Sequence, residues 1–165
     1  NIIDCGEWIQ YESAGYAWYN NNPANQDIYG ALYNQKAVTS PRGLCPAGWH
    51  VPSMEEFLTL KTHIGSANAN ALKATGTAYW DNNISANNSS GFSARGAGYR
   101  DAYGGGFTKL TKYTYFWSST AGLAYGNMPT AHALYLTSDN NNISVTTDPI
   151  GLAGAYGFSV RCIKD

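Results

Sequence analysis

Apolar residues follow a helical period along one stretch of the chain. Phe57, Leu60 and Ile64 recur at the spacing of a single buried helix face, with Lys61 beside them. Ser53-Met54-Glu55-Glu56 stands just before them as a capping box: the Ser53 hydroxyl accepts from the Glu56 amide, and the Glu56 carboxylate reaches back to Ser53. Gly65 ends the helix. A second helix is predicted over Asn68–Ala74, with Leu72 turned inward. Elsewhere the pattern is that of short strands. Ile28–Tyr33 reads as a strand, Tyr113–Ser119 as one rich in aromatic and β-branched residues, and Tyr156–Ile163 as the last. Ala131–Thr137 and Ile143–Thr147 flank Ser138-Asp139-Asn140-Asn141-Asn142, a hairpin pattern. Asn20–Asn25 and Asp81–Ser90 are loops, and glycines crowd the stretch from Gly91 to Phe107. The predicted core comprises Trp49, Val51, Phe57, Leu60, Ile64, Leu72, Phe92, Phe116, Trp117, Leu134, Leu136, Val145, Phe158, Val160 and Ile163. Helices and short strands in this order, without an internal repeat or linker, predict one α+β domain over 1–165.

Composition removes several functions. Charged residues are 13% of the 165, against roughly 25% in an average soluble domain. Ten basic and eleven acidic residues leave no electrostatic footprint for nucleic acid. No apolar run approaches the roughly 18 residues of a membrane span, so membrane insertion by this segment is not expected. An aromatic content of 14%, with thirteen tyrosines, argues against a disordered chain. The chain starts at Asn1 with no leader pattern, which reads as a trimmed segment whose address signal lies before it.

Three cysteines, Cys5, Cys45 and Cys162, lack the close pairs that zinc favours. Cys45 and Cys162 are read as a disulfide that ties the chain end to its middle, with two buried thiols as the alternative. Cys5 is then left to a partner outside this segment or stays free. Catalytic patterns are missing: there is no HExxH, GxSxG or P-loop. His50, beside Trp49 and Pro52, suits a structural hydrogen bond; His63 is expected half-exposed on the helix. Glu55 and Glu56 suit helix capping. Arg95 and Arg100 suit loop carbonyls, and Arg161 a core carboxylate. Asp139-Asn140-Asn141-Asn142 carries one carboxylate, thin for calcium. No catalytic residue, metal site or cofactor is predicted.

Several blocks carry a resemblance. Trp18-Tyr19-Asn20-Asn21-Asn22-Pro23-Ala24, Tyr29-Gly30-Ala31-Leu32-Tyr33, Cys45-Pro46-Ala47-Gly48-Trp49-His50-Val51-Pro52-Ser53, Gly91-Phe92-Ser93-Ala94, Gly98-Tyr99-Arg100, Phe116-Trp117-Ser118-Ser119 and Gly157–Asp165 run in the order of the Fibrobacter succinogenes major paralogous domain, which the chain resembles over nearly its whole length. The resemblance implies a C-type-lectin-like fold with two helices and irregular, mostly antiparallel short sheets. It also implies an extracellular or cell-surface place in bacteria of the Bacteroidetes and Fibrobacter type, with a lipoprotein anchor in a segment before Asn1. Some such domains resemble targets of diversity-generating retroelements, and the Asn-, Tyr- and Ser-rich C-terminal stretch fits a variable region of that kind. The calcium motifs of sugar-binding C-type lectins are missing. So is the nearby cysteine pair that formylglycine-generating relatives need, since Cys162 alone lies in the C-terminal half.

Binding then suits the composition. Tyrosine offers a large amphipathic contact at low entropic cost, and Ser, Gly and Asn offer adaptable hydrogen bonds. The predicted surface is Tyr125, Asn127, His132, Tyr135, Asn140, Asn142, Thr146, Asp148 and Tyr156, with Tyr99, Tyr113 and Tyr115 assigned to packing. The expected function is non-enzymatic recognition of a protein or carbohydrate on another cell or host surface. An adhesin or pilus-tip module of fixed specificity and a formylglycine-generating-enzyme relative are the alternatives.

Overall fold

The computed structural model describes Trp8 and residues 13–82, 85–124, 128–146 and 155–165. Local chemistry sets the helices. The longest, α3 (Met54–Ile64), has the predicted capping box at Ser53 and Glu56 and stops at Gly65, where φ is 95°. The predicted strand over Ile28–Tyr33 is divided: helix α1 (Asn25–Tyr29) runs into it, Gly30 turns at φ 78°, and only β2 (Leu32–Tyr33) is extended. Helix α2 (Gln35–Val38), which periodicity did not reveal, is capped by Asn34. Asn34 is buried; its side chain accepts from Ala37 and Gly15 amides and donates to the Ser13 carbonyl. The predicted second helix is reduced to a 3-10 turn at Ala69–Ala71. Beyond it the backbone bonds to Ala94 from both Leu72 and Ala74, and these sheet-like bonds replace the helical ones. Leu72 is nonetheless fully buried, as predicted. Among the described residues three α-helices with defined bounds therefore stand where two helices were expected.

The main sheet has the order β5-β4-β6-β7-β8, from β4 (Ala97–Arg100), β5 (Phe107–Leu110), β6 (Tyr113–Ala124), β7 (Met128–Thr137) and β8 (Ser144–Val145). Its neighbours are antiparallel except β4 and β6, which meet in parallel at Gly98 and Thr114. Two small antiparallel sheets accompany it: β1 (Tyr16–Ala17) with β2, and β3 (Trp49–His50) with β9 (Ile163–Lys164). The fold is thus mixed α and β with short, mostly antiparallel sheets. The predicted last strand is in fact two pieces, a bridged segment over 157–159 and then β9.

Strand alternation sorts the core into two layers. Phe116, paired with Leu134, and Leu136 face Phe57 of α3 together with Leu72, Trp80, Ala94 and Ile143. The opposite face carries Trp117 and Ala133 against Val38, Val51 and Phe158, with Tyr99, Tyr115 and Tyr156 packed around them. Trp8 and Trp80, absent from the predicted core, are fully buried, and their indoles donate to the carbonyls of Ala155 and Ala94. Two predicted core residues are corrected. Trp49 is 45% exposed and Ile163 39%, because β3 and β9 pair only with each other, and Trp49 and Ile163, set opposite Lys164 and His50, lie on the two different faces of that narrow ribbon.

Gly157 lies where a Cβ would meet Arg100 Cβ and the Trp8 ring, each at 2.8 Å. Gly157→Ala is expected to cost about 1–3 kcal/mol by overpacking, whereas Trp49→Ala falls well short of the about 3–5 kcal/mol of a buried aromatic truncation. Urea unfolding of both variants checks this; a Trp49 variant less stable than the Gly157 variant would reverse the assignment. Cys45 and Cys162 are bridged across 117 residues, with Cα atoms 5.8 Å apart. Closing so long a loop restricts the unfolded chain by up to about 4–5 kcal/mol. Thermal unfolding with and without reductant should show a lower Tm after reduction, matched by Cys45→Ser/Cys162→Ser.

Candidate functional site

β6 places Tyr113, Tyr115 and Trp117 on one face by strand alternation, and pairing sets Tyr135 of β7 directly across from Tyr115. Tyr115 stacks on Tyr135 at 5.2 Å, on Tyr113 at 6.3 Å and on Phe158 at 4.6 Å between ring centroids. Tyr99 of β4 meets Tyr115 edge-on at 5.4 Å and Tyr156 at 6.1 Å, and Tyr156 stacks on Phe158 at 5.3 Å. Five half-buried tyrosines thereby form one continuous surface over Phe158 and Trp117. Among the described residues, none hydrogen-bonds the hydroxyls of Tyr99, Tyr113, Tyr115, Tyr135 or Tyr156, so each polar tip is left for solvent or a ligand while the ring is held by packing. Burial raises the hydroxyl pKa of Tyr99, Tyr115 and Tyr156, so they remain neutral donors. Tyr103, 73% exposed, stands at the rim near Tyr156. The Asp101 carboxylate accepts from the Tyr103 and Gly104 amides and shapes that rim.

Of the predicted binding residues, the structure brings Tyr135 and Tyr156 into this surface. Tyr125, Asn127 and Asp148 lie outside the described residues. His132 is only 8% exposed, with Nδ1 at 2.8 Å from the Thr146 carbonyl, because it sits beside the β7–β8 pairing. Thr146 likewise spends its hydroxyl on the Ala133 amide, 2.8 Å away. Asn140 and Asn142 are exposed, but they shape the turn: the Asn140 side chain accepts from the Asn142 amide. Asn141 fastens that turn to the 67–70 segment through Ala67, Ala69 and Asn70. Buried Lys73 donates to the Asn140 carbonyl at 2.8 Å. Tyr99, Tyr113 and Tyr115 do pack, as expected, yet the same packing makes them part of the surface. The Tyr113-Thr114-Tyr115-Phe116-Trp117 alternation was the sequence signal for it. Tyr103 had no such signal.

The arginines divide. Arg95 donates to the Asp27 and Ile28 carbonyls, and Arg100 to the Gly105 carbonyl, as predicted. Arg161 has no carboxylate partner among the described residues; its guanidinium stacks on Phe92 at 4.9 Å. Among the described residues no group of three or more His, Cys, Asp or Glu is placed to hold a metal ion.

A family model, the Fibrobacter succinogenes major domain, matches residues 2–164. The chain belongs to this family. No curated protein and no solved structure matches it. In this Fibrobacter succinogenes major domain the disulfide suits an oxidising, extracellular setting, and no described helix is long and apolar enough to cross a membrane.

His50 latches β3 to α3 and to the end of β9. Nε2 is 2.9 Å from Glu56 and Nδ1 is 2.6 Å from Asp165. The Asp165 and then the Glu56 hydrogen bond raise the His50 pKa above its ordinary 6.5, and the Ser53 amide, first among several partners, lowers that of Glu56 below 4.5. The His50 contribution is complete below pH 6.5 and fades as pH rises through the raised value. That of Glu56 is complete above 4.5 and fades as pH falls through the lowered one. The latch is therefore strongest between pH 4.5 and 6.5. An NMR titration of the His50 ring should give a midpoint above 6.5, moved down by Asp165→Asn; a midpoint at or below 6.5 would contradict the latch.

Proposed function

We propose that this domain is a non-catalytic recognition module displayed outside the cell, on a scaffold of the C-type-lectin-like kind, and that its tyrosine surface grips a protein or glycan ligand. One observation carries the reading: five half-buried tyrosines in continuous stacked, edge-on and tilted ring contact, whose hydroxyls have no partner among the described residues. Rings immobilised by packing lose little entropy on binding, and their free hydroxyls supply directional bonds. The disulfide supports an extracellular setting, and a charge content of 13% suits recognition by shape and hydrogen bonding over electrostatic steering. The contact surface moves from the predicted hairpin turn toward β4, β6 and β7, because Asn140, Thr146 and His132 already serve the turn and the pairing.

The test is binding to arrays of glycans and extracellular proteins, with Tyr135→Phe and Tyr156→Phe as variants that keep the ring and lose the hydroxyl. Each should weaken the leading interaction by about three- to tenfold, the worth of one hydrogen bond, at unchanged Tm. Ligands bound equally well by the double variant would place recognition elsewhere.

A further inference from the structure

A concave site lies apart from the tyrosine surface. A cleft of about 460 Å³ opens between α1, the 93–95 turn and the 159–161 segment. Arg95 and Arg161 both line it, with Asp27 as the carboxylate on its wall. Neither guanidinium has an ion-pair partner among the described residues. Each is held by a ring, Arg95 over Tyr79 at 4.5 Å and Arg161 over Phe92 at 4.9 Å. Arg95 also donates to the Asp27 and Ile28 carbonyls, which leaves its remaining N–H groups directed by a fixed plane. Arg161 is set by its neighbour Cys162 in the disulfide. Partial desolvation, and then the charge of Arg95, lower the pKa of the exposed Arg161. Ser159, which also lines the cleft, is 7% exposed, and its hydroxyl has no partner among the described residues.

We propose that this cleft binds the carboxylate of an acidic sugar, with Arg161 as the principal contact and Arg95 beside it. Guanidinium matches a carboxylate through two parallel hydrogen bonds. The cleft is of a size that holds small ligands. Gln26, Ser93 and the Tyr29 ring, all on its wall, offer the amide, hydroxyl and aromatic partners that a sugar ring uses. The same lining holds few aliphatic anchors for an acidic peptide.

The experiment titrates the whole chain with glucuronic acid, glucose and a triglutamate peptide, followed by amide NMR shifts. Glucuronic acid should saturate shifts at Arg161, Ser159 and Tyr29, bind at least about tenfold tighter than glucose, and weaken with salt, as a charge-assisted contact does. Arg161→Gln should abolish the preference over glucose, and Arg161→Lys should keep part of it, at unchanged Tm. Tyr135→Phe should leave it intact, so failure of the tyrosine surface and failure of this cleft read out separately. Equal binding of glucose, an unchanged Arg161→Gln variant, triglutamate binding without glucuronate binding, or no saturable shift at all would each overturn the proposal.

Discussion

The segment from Gly157 to Ser159 is bonded along both of its edges, and the rest of the structure depends on that. Phe158 exchanges backbone hydrogen bonds with Tyr33 of β2, and Gly157 does the same with Arg100 of β4. Ser159, on the same edge as Gly157, bonds to Tyr115 and Trp117 of β6. A strand-like piece three residues long thereby joins the N-terminal ribbon to the main sheet. Its backbone groups are buried, so each needs a partner. This arrangement demands glycine at 157, where Trp8 and Arg100 close over the backbone.

Both surfaces argued above hang from this junction. Phe158 turns its ring under Tyr115, Tyr156 and Trp117, which supports the tyrosines from beneath. Three residues on, Arg161 reaches the other cleft, next to the cysteine that closes the loop to Cys45. Aromatic stacking and backbone pairing share the work here, and ion pairs contribute little; those among the described residues are the two at His50. A domain with so few charges holds its shape through rings, amides and one covalent tie.

Features with a local cause were legible in the chain. The capping box at Ser53 and Glu56, the helix behind it and its stop at Gly65 depend on neighbours within a few positions. The alternation of Tyr113 to Trp117 marked a two-faced strand, and Asn-rich 138–142 marked a turn. His50 was read as a structural hydrogen bonder, which its two carboxylates bear out. Misreadings had tertiary causes. Trp49 resembled a core residue by type, yet its ribbon has no second layer over it. Arg161 resembled a buried ion-pair member, yet a ring receives it. His132 and Thr146 both bond within the hairpin, a use that only the approach of β7 to the 144–146 segment reveals.

By itself the sequence determined the family, the main helix, the strand-rich C-terminal half and a surface short of charge, because these follow from residue spacing and composition. Which tyrosines share a surface and which arginines overlook one cleft were decided only by tertiary structure. Tyr99, Tyr115, Tyr135 and Tyr156 lie far apart in the chain and come together through β-pairing. The register of that pairing depends on long-range backbone hydrogen bonds, and no local pattern of residues encodes it.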